Sequence, residues 1–362
     1  MRWLALIIVR YGLNIVYSCH WLQNVNVTAV TSDGSGFMRL INGCIEDTLF
    51  AERPVRMLLI SHQENVRYLG RNTIKHMGVL EALSFWKCPI STITPNIAGE
   101  APNLKTFEIS YGSLKKIPRG AFNNLPLLEL LSIHNNKINL VEDLSFANLP
   151  HLKRIYASHN DIENWSRDWF TNTTQLMLLD FRFNKIRTIP RRAFGRLSKL
   201  REIYLDYNAI SVIHSSAFRG VHKLIYLGLR HNRLKEIPGD VFPDDFRIHT
   251  LMLDANILNF LSSEVLEKLI VKSVSIDNNP WKCPCLDRIW KWVYKNNGSI
   301  KSNKDCVDER IPVCAYSTES LQSCLENVDQ KLTKRYYNAL KSLHPPLAGH
   351  CKIQRFFNED QL

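Results

Sequence analysis

The stretch Leu200-Arg-Glu-Ile203-Tyr-Leu205-Asp-Tyr-Asn208-Ala-Ile210-Ser-Val-Ile213 holds a frame, L-x-x-L-x-L-x-x-N-x-L, that recurs along most of the chain. Matching segments begin at Leu104, Leu128, Leu152, Leu176, Leu200, Leu224 and Ile248, each 24 residues after the one before. Upstream, Leu80-Glu-Ala-Leu83-Ser-Phe85-Trp-Lys-Cys88-Pro-Ile90 keeps the spacing with Cys in the Asn place, and Val55, Leu58, Ile60 and Gln63 make a weaker first copy. Downstream, Val271, Val274, Ile276 and Asn279 begin a last copy that runs into a cysteine-rich segment.

This period and leucine spacing resemble those of extracellular leucine-rich-repeat proteins. The resemblance covers about residues 55 to 324 and implies an α/β solenoid: a curved horseshoe with a parallel concave β-sheet and disulfide-stabilised end caps. Each repeat supplies a short strand whose fourth and sixth places point into the core, while the third, fifth, seventh and eighth point outward. Ten strands about 4.8 Å apart make a sheet roughly 43 Å across. The ninth-place amides Asn136, Asn160, Asn184, Asn208, Asn232, Asn256 and Asn279 form a ladder, because an amide both donates to and accepts from backbone. Cys88 fills such a place as a small buried group with a weak donor. Gln63 fits less easily and Gly112 contributes no side chain, so the N-terminal repeats are expected to be less regular. A second column, Phe122, Phe146, Phe170, Phe194, Phe218 and Phe242 with Leu266 next, makes an aromatic spine beneath the convex side.

An apolar content of 45% is ordinary for a soluble protein. Residues 1–18 read as a secretory signal, with a basic start, an apolar run interrupted by Arg10, and Val16-Tyr17-Ser18 before Cys19. No later segment has the roughly 18 apolar residues that span a bilayer. A secreted, extracellular protein is expected, and the sequons at Asn26, Asn164, Asn172 and Asn297 agree with that compartment. Thr173 replaces a leucine next to Asn172, as expected where a convex corner faces water.

Nine cysteines are present. Cys88 belongs to the asparagine column, and Cys19 and Cys44 most simply close an N-terminal cap. Cys283, Cys285, Cys306, Cys314, Cys324 and Cys351 follow the last repeat. A single residue between Cys283 and Cys285 is too few for a usual zinc motif, so no metal is expected. The chain therefore divides into a signal (1–18), an N-terminal cysteine cap (19–54), repeats (55–279), a C-terminal cysteine-rich cap (280–324), and a helix and tail carrying Cys351 (325–362).

Asn279-Pro-Trp281-Lys-Cys283-Pro-Cys285-Leu286 resembles the start of the C-terminal cap in the same family. By that resemblance Cys283 pairs with Cys306, and Cys285 takes Cys324 or Cys314. Leu286, Ile289, Trp290, Val293 and Tyr294 recur at helical spacing and predict a helix closing the core. After the cap, Leu321, Leu325, Val328, Leu332, Tyr336, Ala339, Leu340 and Leu343 keep a helical period until Pro345-Pro346. This helix either packs on the cap or makes a weak or disulfide-linked dimer. The short helix and extra cysteines also resemble, less specifically, insect leucine-rich-repeat immune proteins, which implies a role in recognition or innate immunity.

Function is sought in the outward places, which the fold leaves free. The middle repeats carry Arg154, Tyr156 and His159, then Arg182 and Phe183, then Tyr204, Asp206 and Tyr207, then Tyr226, Arg230 and His231. Tyr and Arg are enriched at binding hot spots because each joins a large apolar area to a fixed hydrogen-bonding end. Exposed aromatic surface of this extent points to a protein partner on the concave face. A cross-strand salt ladder through Arg182, Asp206, Arg230 and Asp254 is the plainer reading. The net charge is +12, and Lys185, Arg187, Arg191, Arg192 and Arg196 form an acid-free run that suits a sulfated glycan, an anionic microbial surface or nucleic acid, or else only solubilises the loop. No nucleophile elbow, phosphate loop or metalloprotease helix motif is present, so no enzyme activity and no cofactor are expected.

Overall fold

Ten strands, one per copy of the frame, lie parallel and side by side: Val55–Ser61, Ala82–Trp86, Thr106–Ser110, Leu130–Ser132, Arg154–Tyr156, Leu178–Asp180, Glu202–Tyr204, Lys223–Gly228, Phe246–Met252 and Leu269–Ser275. The computed structural model describes residues 22–50, 53–71, 73–302 and 308–347. The signal segment, Cys19, Cys306 and Cys351 lie outside them. Strand pairing follows the sequence period, with Arg154 opposite Leu178, Leu178 opposite Glu202, and Glu202 opposite Tyr226. Equivalent places of neighbouring repeats therefore touch. The leucines and isoleucines of the fourth and sixth places, such as Ile203 and Leu205, are buried in one continuous core.

Both edges of this sheet are extended, giving 13 strands. At the N-terminal edge an antiparallel hairpin, Val25–Thr31 with Gly36–Ile41, pairs its first strand antiparallel to Val55–Ser61. Val25, Val27 and Ala29 are buried while the residues between them face outward, the alternation of a strand with one face on the core. The hairpin covers the edge of the first repeat, which would otherwise be an open template for pairing. Cys44 is disulfide-bonded. At the other edge Ser299–Ile300 pairs with Leu269–Ser275.

The asparagine ladder forms. The Asn208 side-chain nitrogen donates to Phe181 O of the preceding repeat at 2.9 Å, and Leu205 O and Asp206 O lie within 3.1 and 3.3 Å. Its oxygen accepts from Ile186 N at 3.0 Å. Asn136, Asn160, Asn184, Asn232, Asn256 and Asn279 repeat the pattern, each accepting from a backbone N–H of the repeat before. Cys88 substitutes one contact, its Sγ lying 3.5 Å from Ile60 O. Gln63 fits better than its length suggests: its oxygen accepts from Asn26 N at 3.0 Å and so ties the hairpin to the first repeat. At Gly112 an added Cβ would lie 2.7 Å from Asn136 Oδ1, so the next rung already occupies that space.

On the convex side the phenylalanine column is buried, with ring centroids 5.0 to 6.1 Å apart in four of its steps. Between Phe170 and Phe194 the indole of Trp165 sits 6.0 and 5.3 Å from the two rings. Thr173, expected at a wet corner, is buried. Its hydroxyl donates to Phe146 O at 2.7 Å and accepts from Leu149 N at 3.2 Å, replacing the leucine contact by hydrogen bonds.

The convex loops are turns and two-residue strands except for helix α1 (Ser263–Lys268), which Ser262 caps. The C-terminal end is closed by α2 (Cys283–Lys295). Two disulfides hold it, Cys283–Cys314 and Cys285–Cys324. The first corrects the pairing of Cys283 with Cys306 implied by the resemblance. Leu286, Ile289, Trp292 and Val293 form the buried face of α2, whereas Trp290 and Tyr294 are 56% and 85% exposed. The expected helix over Leu321–Leu343 is shorter. Helix α3 (Gln330–Lys341) starts at Asp329, whose carboxylate accepts from Leu332 N at 2.8 Å. It packs on the solenoid flank: Tyr336, Tyr337, Leu340 and Leu347 surround Ile257, Tyr337 Oη donates to Asn256 O at 2.9 Å, and Asn259 bonds Thr333. Its apolar face is thus used within the chain and Cys324 is committed to Cys285, whereas Cys351, the other thiol considered for a dimer, lies outside the described residues.

Candidate binding surface

The eighth place of every repeat has a backbone feature that the sequence pattern did not announce. His62, Lys87, Tyr111, Asn135, His159, Phe183, Tyr207, His231, Ala255 and Asn278 all have φ between +52° and +58°. This left-handed conformation turns the chain off the strand while its N–H still bonds forward. His159 N donates to Arg182 O at 2.9 Å, Phe183 N to Asp206 O at 3.1 Å, and Tyr207 N to Arg230 O at 2.9 Å. Identical backbone in successive repeats makes the side chains parallel. His159, Phe183, Tyr207 and His231 consequently stack, with centroids 4.3, 4.4 and 4.3 Å apart and planes within 10°. His159 and Phe183 form the open end of this four-ring column, Phe183 being 40% exposed, and His231 the closed end at 5%. Burial pulls the His159 imidazole below its usual range.

Beside the column, Arg182 turns back on its own strand. Its Nε and Nη2 donate to Asp180 Oδ1 and Oδ2 at 3.0 and 2.8 Å, a bidentate pair. The guanidinium carbon lies 5.0 Å from the centre of the Tyr204 ring, a cation–π distance. Tyr204 in turn stacks on Tyr226 at 4.5 Å and donates to Glu202 Oε2 at 2.6 Å. Burial, then the Glu202 carboxylate, pushes the Tyr204 phenol well up. These contacts fix both aromatic side chains before any partner arrives.

Asp206 differs from its neighbours. An added Cβ on Gly228 would collide with its carboxylate, so the missing side chain provides the space into which Asp206 folds. There it is buried, accepts from Arg230 N at 3.2 Å and lies 3.8 Å from Arg230 Nε. Burial raises its pKa to about 7 despite Arg230. The salt ladder read along the seventh place forms in part: Arg230 pairs across strands with Asp206, whereas Arg182 turns to Asp180 of its own strand. Asp206 and His231 are also corrected as contact residues, since both lie below the surface.

Arg154 and His159 are exposed, and Tyr156, Arg182, Tyr204, Tyr207, Tyr226 and Arg230 are half-buried. With Phe183, these form one surface across four strands. Sequence reasoning missed Glu202 and Gly228 as supports; the only available sign was a glycine at an outward strand place. The basic run does not stay together. Lys185 pairs with Asp161 at 2.7 Å and Arg187 with Glu163 at 3.0 Å, each across one repeat, whereas Arg191, Arg192 and Arg196 are exposed on the convex loop. Asn26, Asn164, Asn172 and Asn297 are all exposed. Among the described residues no helix is long and apolar enough to cross a membrane.

The repeat profile described as "Leucine rich repeat" matches residues 102–162, 158–210 and 198–244. No curated protein matches the chain. Among solved structures, that of a TLR13–ssRNA13 complex is similar at 16% identity, with a TM-score of 0.42, over 68% of this chain and 54% of that one. The mouse RP105/MD-1 complex is similar at 21% identity, with a TM-score of 0.55, over 67% of this chain and 42% of that one. The chain thus spans about half the length of the solved structures it matches. Its fold is that of a leucine-rich-repeat protein.

Proposed function

We propose that this chain is a secreted, glycosylated, non-enzymatic binding module that takes an extracellular protein partner on its concave sheet, in cell-surface recognition or innate immunity. The observation that carries the reading is the aromatic column opening at Phe183, flanked by Arg182 over Tyr204. Rings and guanidinium groups held in place before contact lose little entropy on binding, and Tyr and Arg supply the largest single contributions at protein interfaces. Mouse RP105, whose fold this chain shares, was solved in complex with MD-1, and a similar use of the solenoid is envisaged here.

The test uses exposed or half-buried residues whose loss leaves no buried charge behind. An Arg154→Ala, Tyr156→Ala, Phe183→Ala protein is compared with the parent for capture of a partner from extracellular fluid, with thermal unfolding measured in parallel. Capture of one protein by the parent, lost in the variant at a similar unfolding midpoint, is the expected result. Equal capture by both overturns the concave-face reading. Arg230 is left intact because its removal would strand the buried Asp206.

A further inference from the structure

Several basic side chains on this solenoid meet an acid on the neighbouring repeat: Lys116 with Glu142, Lys153 with Glu129, Lys185 with Asp161, and Arg187 with Glu163. One region of the convex loops instead gathers arginines around a single acid. Arg167, Arg192, Arg196 and Arg219 line a single groove of 490 Å³. Asp168 is shared between Arg167 and Arg196 at 3.9 Å from each, and neither Arg192 nor Arg219 has a carboxylate partner among the described residues. Four guanidinium groups thus face one carboxylate. Juxtaposed like charges are unfavourable unless an anion joins them.

The backbone makes the groove. Gly195 and Gly220 stand one place apart in consecutive repeats. A Cβ on Gly220, whose φ is +97°, would lie 2.5 Å from Gly195 O, and one on Gly195 would lie 3.1 Å from Arg219 O. The two turns are in direct backbone contact and no side chain fills the space above them. Arg192 is set on the rim by its own left-handed backbone, φ +57°, held by Arg192 N donating to Ser216 O at 3.2 Å. Arg196 is steadied by a bond from Nη1 to Thr171 Oγ1 at 3.0 Å.

We infer that this groove is a binding site for a sulfated polysaccharide chain, separate from the concave surface and independent of the protein-partner reading. Planar guanidinium groups match sulfate oxyanions with paired hydrogen bonds, and the volume falls in the range of ligand clefts, about 300 to 1,000 Å³. The groove offers no stacking platform: Phe170, its one aromatic, is buried beneath it. Single-stranded nucleic acid sites combine charge with exposed rings on which bases stack, and that lack favours a saccharide over a nucleic acid.

The experiment measures binding of a size-defined heparin oligosaccharide to the whole secreted protein, made in a glycosylating host because Asn172 adjoins Thr171. Three proteins are compared: the parent, Arg192→Ser with Arg219→Ser, and Lys185→Ser with Arg187→Ser. All three carry exposed substitutions or none, and circular dichroism checks their folding. The groove pair is expected to weaken binding about tenfold or more and to lower the salt-dependence slope by about two, following counterion release. The control that alters the ion-paired Lys185 and Arg187 should change affinity less than about twofold. Equal losses in the two variants would mean binding by general charge and overturn the site. Equal affinity for desulfated heparin, or tighter binding of a single-stranded DNA of matched charge, would overturn the ligand class.

Discussion

The eighth and ninth places of the repeat are neighbours in the chain and opposites in what the fold demands of them. At the ninth place the demand is chemical. A side chain must bond carbonyls and an N–H of the preceding repeat in a dry site, and seven of the rungs solve this with asparagine. At the eighth place the demand is conformational only. All ten residues adopt φ near +54°, yet they include His, Lys, Tyr, Asn, Phe and Ala. A position whose backbone is dictated and whose side chain is free is where a solenoid can carry specificity without losing its fold. In this chain four such positions in succession carry stackable rings.

The sharpest way to break the comparison is to remove a rung. Asn208→Ala leaves Ile186 N buried without a partner and removes one of two donors from Phe181 O, which keeps Asn184 Nδ2 at 3.1 Å; an orphaned buried group costs about 1 to 3 kcal/mol. A loss of about 2 to 3 kcal/mol in urea unfolding is expected, with faster hydrogen exchange at Ile186 N–H. Cys88→Ala, which forfeits only a thiol contact at 3.5 Å, should lose about 1 kcal/mol. Similar losses for the two would mean that ninth-place hydrogen bonding does not support the stack.

A second effect belongs to the outward face and is read with pH. Asp206 has a folded pKa raised to about 7 from 3.8, chiefly by burial; Arg230 and Arg182 oppose that rise and Asp254 adds to it. Because the folded protein holds this proton more tightly than the unfolded chain, the contribution of Asp206 to stability is highest at low pH. It falls as pH rises from about 4 to about 7 and then levels off. Asp206→Asn should flatten that part of the profile and make the variant relatively more stable at pH 7.5 than at pH 4.5. Asp254, raised in the same direction by burial, leaves a residual slope. An unchanged profile in Asp206→Asn would show that the carboxylate is solvated or fully matched by Arg230.

Much of this architecture could be read from one sequence because the period repeats the same demand. The strand register, the asparagine column and the phenylalanine column each recur at 24 residues and are found as columns. What escaped was whatever depends on two unlike places meeting. Asp206 is buried because Gly228, at the fifth place of the next strand, lacks a side chain. Arg167, Arg192, Arg196 and Arg219 converge although their spacings of 25, 4 and 23 residues match no column. Cys283 takes Cys314 because the intervening loop returns there: Ala315 N donates to Trp281 O at 2.8 Å. Trp290 and Tyr294 kept the helical period of α2 but fall off its buried face. Apolar periodicity therefore located the helix without fixing which of its aromatic residues would be covered.

The smallest effect tests the eighth place directly. Ala255 shares the left-handed backbone, φ 54°, but carries no ring and takes no part in the stack. An L-residue in this region is disfavoured by roughly 1 to 2 kcal/mol. Glycine removes that cost and adds back about 0.4 to 1 kcal/mol of unfolded-chain entropy, and the lost methyl, which is buried, subtracts up to about 0.8 kcal/mol. Ala255→Gly should therefore be neutral or stabilising by about 0.5 kcal/mol, whereas the same change in ordinary strand or helix costs about 0.5 to 1 kcal/mol. Chemical denaturation resolves the sign. A loss near 1 kcal/mol would mean that the eighth-place backbone is not held left-handed in solution, and the parallel alignment of His159, Phe183, Tyr207 and His231 would lose its structural cause.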